Sequence, residues 1–228
     1  MTCVNPDFKC VKVLPYFTSM YTQANRWGVS ILVLGESHYM EDGEPGQSMD
    51  RQFTRDVLGE VLAGVEKPAF RFFTKVAGLF FGGRRPTKYE RFEFWRSVAY
   101  YSFVQECAGN GPRQRPTSNM WRQAQEPFRE TLRLLRPEFI LVVGANLGEH
   151  LKALAESETN VHLGDKQMPA WLYAHESGNA FAFRINHPSS VGWSYGEWEP
   201  WTQAAVEQAK IRAYDHGSTH AQESVIKM

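Results

Sequence analysis

The chain has 228 residues, which is enough for one large α/β domain. Hydrophobic residues make up 43% of it and aromatic residues 14%, a composition that excludes a disordered chain. Lysine plus arginine and aspartate plus glutamate number 25 each, so any contact with nucleic acid must use a local basic patch.

Composition also bears on compartment and cofactors. No apolar run approaches the ~20 residues of a membrane helix, and the first ten residues lack the basic-then-apolar order of a signal peptide. We therefore expect a cytoplasmic protein that does not contact a membrane. Its three cysteines are too few for a four-thiolate zinc or iron–sulfur site, so we expect no metal and no cofactor.

The first half of the chain contains one clear strand and several helices. Residues 1–28 lack periodicity and are predicted to be an irregular arm. The run "SILVLG" at 30–35 predicts a parallel strand buried on both faces. Helical spacing follows from about Met49 to Leu62 and over 68–83, and residues 87–105 form either one long helix or a helix followed by a short strand.

The second half repeats the strand–turn–helix pattern of a parallel sheet. In chain order we predict a helix over 116–136 that ends before Pro137, then a strand, glycine turn and helix over 138–154. Strands over 170–177 and 180–190, a helix over 197–214 and a frayed polar tail over 215–228 follow. The expected fold is a three-layer α/β/α sandwich around a mostly parallel, four-stranded sheet, with one domain over 29–214. Three strands end in polar turns (Gly35–Tyr39, Gly144–Asn146 and Asn186–Ser190), which would share one crevice if the strands are neighbours.

One interpretation of these turns is a serine esterase. The segment "LGES" resembles the nucleophile block of the GDS-type esterases, which implies Ser37 as nucleophile, His187 as base and Asn146 in the oxyanion site. That family places an aspartate three residues before the histidine, where this chain has Arg184. A histidine without a carboxylate to fix its tautomer is a poor general base.

A second resemblance extends over most of the domain, from Ile31 to Tyr195. The segments "ILVLGESHY", "WRSVAYYSFVQ", the helix–strand–turn of 116–151 and "NHPSS" with "VGWS" follow the order of the motifs of the uracil-DNA glycosylase superfamily. The resemblance implies that Glu36 orients the attacking water and that His187 donates a hydrogen bond to the departing base. It also implies that Gly35, Ser37 and Asn186 line the base pocket.

The middle segment bears on the substrate. Relatives that cleave uracil carry an asparagine there, where this chain has Ser102, so a larger modified pyrimidine becomes an alternative to uracil. Tyr39 stands where one branch uses a tyrosine to exclude bulky bases. Phe53 or Phe103 is the expected aromatic surface on which an extruded base stacks.

The last motif is expected to contact DNA. Its residues Ser189, Ser190, Val191 and Trp193, together with Arg113 and Arg115, form the predicted DNA interface. We expect Trp193 to be exposed beside Gly192 and to wedge into the duplex.

These expectations combine into one functional hypothesis: a monomeric, monofunctional DNA glycosylase in base-excision repair or anti-phage defence. The motifs contain no lysine, so strand cleavage through a Schiff base is not expected. The esterase stays an alternative, and so does a non-catalytic nucleic-acid-binding module of the same fold.

Overall fold

The computed structural model describes residues 6–21, 25–111 and 114–226, with side chains described as far as residue 214. Six strands form one sheet: β1 Ile31–Gly35, β2 Ala99–Ser102, β3 Phe139–Val143, β4 Ser157–Leu163, β5 Lys166–His175 and β6 Gly178–Ile185. Seven helices are described: α1 Phe53–Leu62, α2 Arg71–Gly78, α3 Lys88–Ser97, α4 Ser118–Gln123, α5 Gln125–Leu135, α6 Ala145–Lys152 and α7 Tyr195–Ile226.

The sheet is mixed. Its strand order is β2-β1-β3-β6-β5-β4, in which the first four strands are mutually parallel and the last two pairings, β6 with β5 and β5 with β4, are antiparallel. The α/β class is therefore confirmed, whereas the prediction of four strands is wrong. The sequence pattern missed β4 because this edge strand is mostly exposed and polar, and it left open β2, which follows α3 directly.

Helices pack on both faces of the sheet because its central strands are apolar on both sides. Ile31 and Val33 of β1 join one buried cluster, with residues of α1, α2, α3 and α7. Leu32 and Leu34 point the other way, into a second cluster with residues of α4, α5 and α6. This burial on both faces fixes β1 as an interior strand between β2 and β3, so that the polar residues after Gly35 lie at the carboxyl end of the parallel strands.

The described part of the N-terminal arm has no helix or strand of its own, yet it packs against the domain. The buried carboxylate of Glu130 in α5 accepts hydrogen bonds from the backbone N–H groups of Lys9, Cys10 and Val11 at 2.7, 2.7 and 3.0 Å. These bonds satisfy a charge that would otherwise be costly to bury.

Helix ends follow local sequence signals. Thr87 and Glu90 form a reciprocal capping box at the start of α3, and α5 ends with Arg136 in the left-handed conformation, directly before Pro137. None of the helices in the described part of the chain combines the length and apolar character needed to span a bilayer.

Candidate functional site

Three strand ends meet at one edge of the sheet. β1 pairs with β3 and β3 pairs with β6, all in parallel, so the turns after Gly35, Val143 and Ile185 lie side by side. The condition for a shared crevice, that the three strands are neighbours, is therefore met. A side-chain contact joins two of the turns, because Asn146 Nδ2 donates to Glu36 Oε2 at 3.1 Å.

Glu36 is the carboxylate at this edge. Its side chain is 13% exposed, and Oε1 accepts a hydrogen bond from Nη1 of Arg115 at 3.2 Å. Asn146 and Arg115 thus approach one oxygen each. An ionised carboxylate can accept about four hydrogen bonds, so these two donors orient Glu36 and leave lone pairs for a water molecule.

His187 follows β6 and has a fixed ring. The ring stacks on Phe72 of α2, with centroids 5.3 Å apart and planes inclined by 23°. The backbone N–H of Ser189 donates to His187 Nδ1 at 3.1 Å. A nitrogen that accepts this bond carries no proton, so the neutral ring has its proton on Nε2.

The electrostatic surroundings keep this ring neutral at pH 7. Burial lowers the pKa of His187 below its ordinary value; the negative charge of Glu36 acts in the opposite direction, and the positive charges of Arg115 and Lys75 lower the pKa further. Nε2 makes no hydrogen bond to any described residue. The site therefore offers a neutral N–H donor within electrostatic range of an oriented carboxylate.

The turn after His187 presents a different residue from the one expected. Val191 is fully exposed at its tip, and Ser189 and Ser190 are exposed beside it. Trp193 is half-buried, with the Lys75 ammonium 4.9 Å from the centre of its ring. The expected exposure of Trp193 is wrong, because its ring packs against the core instead of extending from the turn.

Ser37 does not have the surroundings of a nucleophile. Its hydroxyl oxygen is buried and has no hydrogen-bond partner among the described residues, so no histidine accepts its proton. Asn146, the oxyanion donor in the esterase interpretation, is engaged with Glu36. The geometry gives the esterase alternative no support.

A tyrosine occupies the space above Gly35. A Cβ placed on Gly35 would lie 2.5 Å from the Tyr100 hydroxyl oxygen, so the absence of a side chain admits the phenol. Tyr100 Oη lies 3.3 Å from Oγ of Ser102, which is itself 1% exposed. Ser102 is therefore buried against Tyr100 and is not presented to a ligand.

The expected stacking residues are placed elsewhere. Phe103 is buried in the other core, beside Trp121 and Phe128, so it cannot meet a base. Phe53 is half-buried and contacts the ring of His38 at 5.0 Å. The aromatic ring beside His187 is Phe72, which the sequence did not single out because it lies in an aromatic-rich run typical of core helices.

The remaining predicted residues lie near the three strand ends. Tyr39 is half-buried, and its hydroxyl donates to the carbonyl of Gln114 at 3.3 Å. Asn186 is half-buried between Ile185 and His187. Arg115 is 67% exposed at its side chain and reaches Glu36, whereas Arg113 lies outside the described residues.

His38 is a functional candidate that we did not assign a role from sequence. It is 8% exposed, and its Nε2 lies 2.8 Å from the Thr54 hydroxyl of α1. A backbone bond from Ala108 N–H to the His38 carbonyl adds a second tether. His38 thus anchors the loop that follows Glu36.

The chain matches no protein-family model, and no curated protein is significantly similar to it in sequence. Within the described residues, no three His, Cys, Asp or Glu side chains converge as a metal site would require. The groups that this end of the sheet offers to a substrate are the oriented carboxylate of Glu36 and the neutral imidazole of His187.

Proposed function

We propose that the protein is a monofunctional DNA glycosylase that hydrolyses the N-glycosidic bond of an extruded pyrimidine-type base and leaves an abasic site. The observation that carries this proposal is that His187 and Glu36 lie at the same end of the parallel strands, each held by its own hydrogen bonds. His187 presents a neutral Nε2–H, and Glu36 presents a carboxylate held by Asn146 and Arg115.

The imidazole matches the charge that develops on the departing base. As the C1′–N bond breaks, its electron pair moves onto the base and negative charge grows on a pyrimidine carbonyl oxygen. A preorganised N–H donor stabilises that charge, and removal of one such donor typically costs a factor of about 10²–10³ in rate. A neutral ring is sufficient for this role, because the hydrogen bond from Ser189 to Nδ1 leaves the ring proton on Nε2, from which it can be shared with the base.

The carboxylate of Glu36 is suited to the second part of the reaction, the attack of water on the sugar. A water oxygen forms the new bond to C1′, and Glu36 orients this water and accepts its proton. The negative charge of Glu36 also favours the positive charge that the sugar acquires in the transition state. Asn146 and Arg115 fix the carboxylate, so little reorganisation is needed.

The surrounding side chains suggest how DNA would be held. Ser189, Ser190 and Arg115 are exposed donors that can bind backbone phosphates. Val191 replaces Trp193 as the candidate wedge, because only Val191 stands free at the tip of the turn. Tyr100, rather than Tyr39, is the candidate for limiting the size of the base, since its phenol covers Gly35.

The decisive test is the identity of a released base. The protein should be incubated with single-stranded and double-stranded oligonucleotides that contain uracil or enlarged cytosines, and the free bases should be separated by chromatography. We expect one pyrimidine to be released and alkali to cleave the strand at that position only. DNA that binds but stays intact across the whole series would overturn the proposal and favour the binding module. A released base would name the substrate.

A further inference from the structure

A basic cavity lies beside the candidate site and has no part in the chemistry proposed above. Its volume is about 610 Å³, and neither Glu36 nor His187 lines it. Five of its lining residues are basic: Lys67, Arg71, Lys75, Arg85 and Arg91. The only acidic residue among the described residues of the wall is Glu66. In a chain with equal numbers of acidic and basic residues, this is a strong local excess of positive charge.

Arg91 is the basic residue of this cavity that is buried. It is a residue of α3 that is 8% exposed, and Nη1 donates to the Thr74 hydroxyl at 3.3 Å. It forms no ion pair with a carboxylate in the described part of the chain. Its sequence neighbour Glu90 is already engaged, because that carboxylate binds Arg84 and caps α3.

A buried guanidinium without a counterion is energetically unfavourable. Buried charges are normally paired or strongly hydrogen-bonded, and a hydroxyl supplies only one neutral acceptor. Arg71 and Arg85 are exposed at the same cavity and add positive charge instead of compensating Arg91. The positive charge of these side chains is therefore available to an anionic ligand that enters the cavity.

The cavity also contacts the turn that carries His187. Lys75 lines the cavity, and its ammonium donates to the carbonyl of Pro188 at 2.7 Å. The same ammonium lies over the ring of Trp193. A ligand that attracts Lys75 would change the environment of this tryptophan, which provides an optical signal.

We propose that this cavity binds a phosphoryl group, with Arg91 as the central ligand and Arg71, Lys75 and Arg85 around it. A phosphoryl group carries up to two negative charges, and its oxygens match the planar fork of a guanidinium. A volume of about 610 Å³ falls within the size range of small-molecule sites, ~300–1,000 Å³. Two sources supply the same chemistry: the terminal phosphate of a free nucleotide and a backbone phosphate of bound DNA.

Binding should be measured by calorimetry and by tryptophan fluorescence, with inorganic phosphate, thymidine 5′-monophosphate, thymidine and a short oligonucleotide as probes. We expect thymidine not to bind, since it lacks the phosphoryl group. Binding of the free phosphates would identify a nucleotide site, and binding of the oligonucleotide alone would identify a backbone site. Either result supports the proposal only if the affinity depends on the cavity arginines.

Variants of the cavity arginines test whether the affinity depends on them. Arg91→Met should weaken the binding of whichever phosphate-bearing probe binds by about tenfold or more, since one charged hydrogen-bonded contact is lost. Arg85→Gln and Arg71→Gln should weaken it in the same direction, and both change exposed residues, so folding is retained. Arg96→Gln is the matched control, because Arg96 lies in the same helix but does not line the cavity.

Affinities that are equal in the wild type and in all three cavity variants would overturn the proposal, as would the absence of binding by every phosphate-bearing probe. The test needs no base excision, so it succeeds or fails independently of the proposed glycosylase activity.

Discussion

Acid should destabilise the protein through His38, the residue that anchors the loop after Glu36. Burial lowers the pKa of this imidazole to about 4, compared with about 6.5 in an unfolded chain. Because the folded state has the lower pKa, the unfolded chain takes up the proton first as the pH falls. The stability associated with the neutral ring is therefore fully present above about pH 6.5 and is lost between pH 6.5 and 4.

The pKa difference sets the size of the effect. Each pH unit in this window costs about 1.36 kcal/mol, so the whole window corresponds to about 3 kcal/mol of unfolding free energy. That loss is a large part of the ~5–15 kcal/mol by which folded domains are stable. Other groups also titrate in this range, so the contribution of His38 must be isolated with a variant.

The perturbation is His38→Gln, which can still hydrogen-bond Thr54 but cannot take up a proton. Urea unfolding followed by tryptophan fluorescence gives the free energy of unfolding at several pH values between 7.5 and 4. We expect the wild type to lose about 3 kcal/mol relative to this variant over that range. His162→Gln is the control, since His162 is exposed, and it should follow the wild type. A difference between wild type and His38→Gln that stays constant with pH would refute the reasoning.

Three further predictions concern the site. If neutral His187 is the active form, the excision rate should stay level from pH 8 to about 6.5 and decline only at lower pH, because burial lowers its pKa; a rate that declines as pH rises above 6.5 would indicate an imidazolium instead. Gly35→Ala should destabilise the protein by about 1–3 kcal/mol, since the new Cβ meets the Tyr100 hydroxyl. In a thermal unfolding experiment, adding Tyr100→Phe to the same chain should restore part of the lost stability. If it restores none, the contact between Gly35 and Tyr100 is contradicted. Val191→Gly should lower the excision rate on duplex DNA more than on single-stranded DNA and leave the melting temperature unchanged, and equal losses on both substrates would exclude Val191 as the wedge.

Sequence patterns located the three strands that build the site because each is a short, largely apolar run ending in a polar turn. Such runs are typical of strands buried on both faces, and the observed strand neighbours bring Glu36, Asn146 and His187 to one edge. The apolar pattern did not reveal β4, since an edge strand needs no apolar face. The two-residue connection Gly164–Asp165 between β4 and β5 was the available signal.

Side-chain surroundings were harder to predict. Ser102 and Phe103 are adjacent in sequence, yet one lies against Tyr100 and the other in the opposite core. Residue type alone does not reveal which face of a short strand each one occupies. Trp193 was expected to be exposed because it follows a glycine, but it packs against the core, and the cation over its ring, Lys75, belongs to α2, more than a hundred residues earlier.

The partners of the charged residues could not be predicted from the sequence either. The Glu36–Arg115 contact joins residues 79 positions apart, and Glu90 binds Arg84, not a residue of the basic cavity's buried centre such as Arg91. Neither relation follows from spacing or composition. The sequence therefore predicts which residues reach the sheet edge, and the fold determines which of them are paired.

The proposed reaction requires Glu36 and His187 to act together on an extruded base. Its most direct test is the single-turnover excision rate, measured with the DNA dissociation constant, for Glu36→Gln and His187→Ala. Each change should lower the rate by about 10² or more while the dissociation constant stays near that of the wild type.

Matched controls make this measurement specific. His175 also accepts a hydrogen bond at Nδ1, from the backbone N–H of Ser177 at 3.2 Å, but it lies at the opposite end of β6 from His187. Glu44 is an exposed carboxylate in the loop after Glu36. His175→Ala and Glu44→Gln should excise at the wild-type rate. An excision rate for His187→Ala equal to that of His175→Ala, or for Glu36→Gln equal to that of Glu44→Gln, would contradict the central claim.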